Sequence, residues 1–204
     1  MITLMISYYE NVMKTLKKSV ESMDEDIYYS LVDQCVECIE NGGKVIASGL
    51  GKNVPICEKF VGTLNSLGID ARFLHTNTAV HGDLGMVGEK DLVILLSKGG
   101  NTIETVDLIT YLKDRGTNTW LLSFAKNGKS AELLPDEKIL MLELEDEGDE
   151  WDIVPNNSTT VNLIILQGLA IEIAKRMGIT LDDFKRNHPG GGIGAKLRGE
   201  RLWN

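Results

Sequence analysis

Apolar residues along this chain follow two rhythms. Over residues 3 to 41 they recur at helical spacing, and the same spacing returns over 54–67, 102–113 and 158–176. Between these stretches lie short runs that are apolar at nearly every position: 44–48 (Lys44-Val45-Ile46-Ala47-Ser48), 71–74, 91–96 (Asp91-Leu92-Val93-Ile94-Leu95-Leu96), 119–123 and 139–142. A strand that is apolar on both faces must be covered on both faces. Its alternation with amphipathic helices therefore predicts an α/β fold, a three-layer α-β-α sandwich around a five-stranded parallel sheet. Two helices are expected within 3–41, broken where Ser22 supplies a cap and Glu25 its return partner. Pro55 belongs in the first turn of the helix that follows the first strand. Asn101 with Glu104 reads as the capping box of the helix from Thr102, and a last short helix is expected over 181–187.

In a parallel sheet of this kind ligands bind beyond the carboxyl ends of the strands. Three loops leave such ends, 49–53, 97–102 and 156–160, each rich in glycine, hydroxyl or amide residues and each opening a helix. Free N–H groups and the positive end of a helix dipole suit a phosphate, and the three loops together could hold one phosphate and several sugar hydroxyls. Two familiar nucleotide patterns fail at 49–53. A dinucleotide fingerprint needs Gly at Val54 and an acid where His75 stands; a P-loop needs Gly at Ile46 and Ser or Thr at Asn53.

Composition narrows the partners. The 204 residues carry 30 acidic against 21 basic side chains, a net charge of −9, with no basic run, which argues against nucleic acid. No secretion signal and no stretch of membrane-spanning length appears, so a soluble cytoplasmic protein is expected. Neither an internal repeat nor a low-complexity linker divides the chain, and one domain over 1–204 is expected: helices over 1–43 that pack on the domain or on a partner subunit, then a core and C-terminal tail over 44–204. Cys35 and Cys38 form a C-x-x-C, but both fall on the apolar face shared with Ile27, Leu31 and Ile39, so buried packing is expected rather than redox or zinc chemistry. His81 stands beside His75 without a helical ligand pair, and no metal is expected.

The motifs, in order, are Gly49-x-Gly51-Lys52, His81-Gly82-Asp83-Leu84-Gly85-Met86, Ser97 to Glu104, Pro155 to Thr160, and His188-Pro189-Gly190-Gly191 with Gly194. Over about residues 44 to 197 the chain resembles a SIS (sugar isomerase) domain and is similar to the arabinose-5-phosphate isomerase branch of the KpsF/GutQ type. The resemblance implies the SIS fold, a tetramer, and reversible aldose–ketose conversion of a sugar phosphate through an enediolate, with no cofactor. It places Lys52, Glu147 and His188 at functional positions. His188 is assigned to acid–base work, Glu147 to the partner base, and Lys52 to the phosphate or the enediolate oxygen; His81 is a further catalytic candidate. Ser48, Gly51, Asn53, Ser97, Lys98, Gly99, Asn101, Thr102, Asn157, Ser158 and Thr159 are the candidates for holding substrate and phosphate.

Departures from the family are equally specific. The family expects Ser where Asn53 and Gly99 stand and Glu where Asn101 stands, and the sequence ends at Asn204 before the paired CBS domains that often follow in longer relatives. Two hydroxyls and one carboxylate are thereby replaced. A sugar-phosphate binding or sensing module, and a SIS isomerase of other specificity such as a hexulose-phosphate isomerase, both stand beside the arabinose-5-phosphate isomerase reading.

Overall fold

The computed structural model describes residues 2–200; residues 1 and 201–204 of the expected 1–204 domain lie outside the described residues. Two helices, α1 (Ile2–Glu21) and α2 (Glu25–Glu40), precede five strands, β1 (Val45–Gly49), β2 (Ala71–His75), β3 (Leu92–Ser97), β4 (Asn118–Ser123) and β5 (Ile139–Met141). Helices α3 (Asn53–Ser66), α4 (Thr76–Ala79), α5 (Ile103–Asp114) and α6 (Lys129–Glu132) connect them, and α7 (Asn157–Arg176), α8 (Leu181–Arg186) and α9 (Gly191–Leu197) complete the described chain. The strands are parallel in the order β2-β1-β3-β4-β5, with β1 flanked by β2 on one side and β3 on the other.

Alternate strand residues feed opposite layers. Val45, Ala47, Ile94, Leu96, Trp120 and Leu122 meet α2, α3 and α7, whereas Ile46, Val93, Leu95 and Leu121 meet the layer of α4, α5 and α6. This accounts for the unbroken apolar runs, since neither side of the sheet faces water. Each fully buried Leu or Ile adds about 1.5–3 kcal/mol of transfer free energy, and the central strands β1 and β3 are buried throughout. Cys35 and Cys38 sit in the first layer, and burial pushes both thiols up, away from the reactive thiolate form.

Two expected caps are made differently. Asp24, not Ser22, caps α2 by accepting from Ile27 N; Ser22 Oγ donates instead to Ser19 O and accepts from Glu143 N, tying α1 to the chain after β5. At α5 the cap residue is Thr102, and Asn101 is turned outward to brace the loop. Helix α9 has no counterpart in the sequence pattern of a glycine-rich tail. It forms where Gly194 lies so close to the His188 carbonyl that a Cβ would come within 2.6 Å, with Arg198 closing the turn onto Pro189 O at 2.6 Å.

Candidate functional site at the carboxyl edge of the sheet

The point where the chain reverses its direction of advance lies between β1 and β3, the position at which parallel sheets open a crevice above their carboxyl ends. A pocket of about 380 Å³ occupies it. The loop after β1 lines it with Leu50, Gly51, Lys52 and Asn53, the loop after β3 with Ser97, Lys98, Gly99 and Thr102, and the start of α7 with Pro155, Ser158 and Thr159, with Leu96 and Thr105 at the base. A larger cleft, about 750 Å³, opens at the opposite edge, between the end of α5 and the approach to β5, away from these helix N-termini.

The loop after β3 is rigidly held. Asn101 Nδ2 donates to Gly99 O at 3.0 Å while its Oδ1 accepts from Lys129 N at 3.1 Å, and Ser130 N donates to Gly100 O at 2.8 Å. Gly100 has φ +64° and passes so near Gly128 that a Cβ on it would stand 3.0 Å from the Gly128 Cα; both a left-handed conformation and a close approach require glycine here. Asn101 is therefore outside the pocket lining, using both ends of its amide on the loop.

The third loop differs from expectation in what it already holds. Glu147 is fully buried, and its Oε2 accepts from Asn156 N at 3.0 Å and Ser158 N at 2.9 Å. Its Oε1 accepts from Ser158 Oγ at 2.6 Å and pairs with Lys98 Nζ at 2.6 Å. A carboxylate thus occupies the positive N-terminus of α7, where a ligand phosphate would otherwise compete. Burial pushes the Glu147 pKa up, but Lys98, the Ser158 hydroxyl and the two N–H donors outweigh it and hold the carboxyl below the usual glutamate range. A depressed folded pKa contributes stability above the unfolded value of about 4.3 and loses it as pH falls through the folded value. Thermal unfolding followed from pH 6 to pH 3 is therefore expected to drop more steeply for the native chain than for Glu147→Gln; parallel curves would remove Glu147 from the acid response.

The remaining candidates divide: Lys52 and Asn53 belong to the lining, whereas Ser48, Asn157 and His81 do not. Ser48 is fully buried beneath the pocket, its Oγ 2.9 Å from Thr76 Oγ1, where it joins β1 to α4. Asn157 is also fully buried and donates to Asp146 O and Oδ1. Asn53 lines the pocket while its Oδ1 accepts from Asn162 Nδ2 at 3.0 Å, linking α3 to α7. His81 is exposed on the turn after α4, outside the lining. Lys52, the residue before α3, is exposed, and its side chain makes no hydrogen bond or ion pair among the described residues.

His188 stands apart from the pocket of its own chain. Asn187 Nδ2 bonds Ser66 O at 3.3 Å, at the far end of α3 from Lys52, and the 14 residues of α3 span about 20 Å. The His188 ring stacks on Phe184 with centroids 3.8 Å apart, and its Nδ1 lies 2.8 Å from Phe184 O. A carbonyl can only accept, so Nδ1 carries a proton, and in the neutral imidazole Nε2 is the acceptor.

Comparison with known proteins adds the following. The SIS domain family profile matches residues 39–171. The chain is 33% identical over 181 residues to arabinose 5-phosphate isomerase KdsD of Pseudomonas aeruginosa, covering 89% of this chain and 55% of that protein. It is 33% identical over 182 residues to arabinose 5-phosphate isomerase KpsF of Escherichia coli, covering 89% and 56%. The chain thus spans about half the length of the curated relatives it matches. Among solved structures, the c3406 protein of E. coli CFT073 in complex with arabinose 5-phosphate superposes with a TM-score of 0.84 at 29% identity, over 92% of this chain and 97% of that one.

Proposed function

The chain belongs to the SIS domain family, and on that premise we propose that it is a sugar-phosphate aldose–ketose isomerase of the arabinose-5-phosphate isomerase kind. The observation that carries this reading is the pocket above β1 and β3, which joins two lysines, Lys52 and Lys98, to the open N-terminus of α5 at Thr102. Cations and helix-end N–H groups around a 380 Å³ cavity fit one phosphate with a short polar chain. The Ser97 and Thr102 hydroxyls, the loop N–H groups and the Asn53 amide then receive the sugar.

Isomerisation requires an open-chain sugar, removal of a proton from C2 of the aldose, delivery of a proton to C1, and donors that hold the enediolate oxygen between the two steps. Glu147, ionised and bonded by four donors, is a weak proton acceptor near neutral pH. Proton transfer is therefore assigned to His188, whose Nε2 is free to accept, and the oxyanion to Lys52 or Lys98. Because its own pocket is about one α3 length away, His188 serves a neighbouring subunit of a homo-oligomer, a tetramer in this reading. Exposed apolar side chains on α1 and α7, among them Met5, Ile6, Met13 and Ile171, support such an assembly.

Incubation with pentose and hexose phosphates in D₂O is expected to give the ketose together with deuterium at C2 of the aldose, arabinose 5-phosphate being the first candidate. Absence of both signals across the panel would sink the proposal. A binding module without turnover is the second reading, favoured by Asn101, whose amide braces the loop where the family has a carboxylate. Thermal stabilisation by a sugar phosphate without isomerisation is its signature.

A further inference from the structure

We infer that Lys98 is the main phosphate-binding cation of this pocket, and that Glu147 acts through it as a positioning residue. The inference rests on the sugar-phosphate reading and deepens it. Lys98 is held at both ends. Its carbonyl accepts from Phe124 N at 3.2 Å and from Ser123 Oγ at 3.3 Å, which pins the backbone to the end of β4. Its ammonium is fixed by Glu147 Oε1 at 2.6 Å; the Lys98 side chain is 43% exposed and that of Glu147 0%. The ion pair therefore runs from the buried base of α7 out to the pocket lining.

An ammonium carries three N–H bonds. Glu147 takes one, and among the described residues no other acceptor is bonded to Lys98 Nζ, so two remain for a ligand anion. The Lys52 side chain, which also lines the pocket, has no partner of its own among the described residues. On binding, Lys52 must lose side-chain freedom that Lys98 has already lost, so the pre-ordered lysine delivers more of its charge–charge attraction as affinity. Glu147 in turn is held by Asn156 N, Ser158 N and Ser158 Oγ, so the anion orienting the lysine cannot swing away when phosphate arrives. The two loops that meet in the pocket are thus coupled through one charge pair.

The test is titration of the full chain with inorganic phosphate and with arabinose 5-phosphate, read as Kd by calorimetry and independent of turnover. Lys98→Met is expected to weaken both ligands about 10–100-fold, the scale of one charge-assisted hydrogen bond. Lys52→Met is expected to weaken them less, and Lys98→Arg to restore part of the loss. Glu147→Gln is expected to weaken binding in the native background and to add nothing further in the Lys98→Met background, because its effect passes through the lysine. A Glu147→Gln loss of equal size in both backgrounds would make Glu147 a simple cap of α7 and overturn the coupling. Native-like phosphate affinity in Lys98→Met, or a larger loss in Lys52→Met, would overturn the assignment of Lys98, and neither variant removes a buried side chain. Lys98-dependent binding without isomerisation would uphold this inference while defeating the enzymatic reading; isomerisation with unaltered Lys98→Met affinity would do the reverse.

Discussion

His188→Ala is expected to lower kcat by about 10²–10⁴-fold, the range of a positioned general acid–base. The pocket residues are untouched, so arabinose 5-phosphate affinity should change little. What such a loss would not reveal is which subunit supplies the imidazole, and a second variant answers that. Thr102→Asp retains a favourable cap residue for α5 while setting an anion against the place proposed for the substrate phosphate. It is expected to fold normally and to be inactive. Co-expressed with His188→Ala, it should yield hybrids in which an intact pocket of one subunit meets an intact His188 of another. With random assortment, activity should recover to about a quarter of the native value. If every pocket used its own His188, no hybrid site would be whole and mixing would restore nothing. That outcome would contradict the placement of His188 at the opposite end of α3.

Gly43→Ala is expected to be the most destabilising of the glycine-to-alanine changes, because its added Cβ meets the closest contact of any glycine described. A Cβ at Gly43 would stand 2.1 Å from Lys90 O and 2.8 Å from Lys90 C, with Cys38 Sγ at 2.9 Å. Side chains cannot relieve this, because the nearest atoms are backbone just before β3, whose first residue Leu92 pairs with Val45 of β1. The buried Asp91 adds to the constraint by accepting from Lys44 N and Gly88 N at 2.8 Å each. Relief requires moving the start of two central strands, and a loss of about 3 kcal/mol or more follows, near 10 °C in Tm for a chain of this size. Gly42→Ala is the control. Its φ is +79° but nothing lies within 4 Å, so only the left-handed strain of about 1 kcal/mol applies. Equal losses in the two variants would show that close packing at Gly43 is unimportant.

The rhythm of apolar residues is enough to read the five strands, the long helices α3, α5 and α7 and the edge of the sheet where loops gather, but not the single-turn α4 inside the polar segment after β2. Strand burial on both faces and helical spacing are local properties, written into every few residues. Boundaries differ by a residue or so, as at β1 and β3, since strand ends depend on pairing with neighbours. The caps expected at Ser22 and Asn101 fail for a related reason. Each side chain has two possible partners, and the distant one, Glu143 N for Ser22 and Lys129 N for Asn101, is invisible from nearby sequence.

Local pattern was thus sufficient for the layered parallel sheet and for the polar, glycine-bearing loops at its carboxyl edge. It took the assembled fold to set the strand order, the burial of Glu147 out of a run of acids that otherwise looks solvated, its pairing with Lys98, and the distance of His188 from the pocket of its own chain. The physical reason is range. A side chain's periodicity is set by its near neighbours, whereas its charge state and partners are set by whatever the crossovers carry to it from elsewhere.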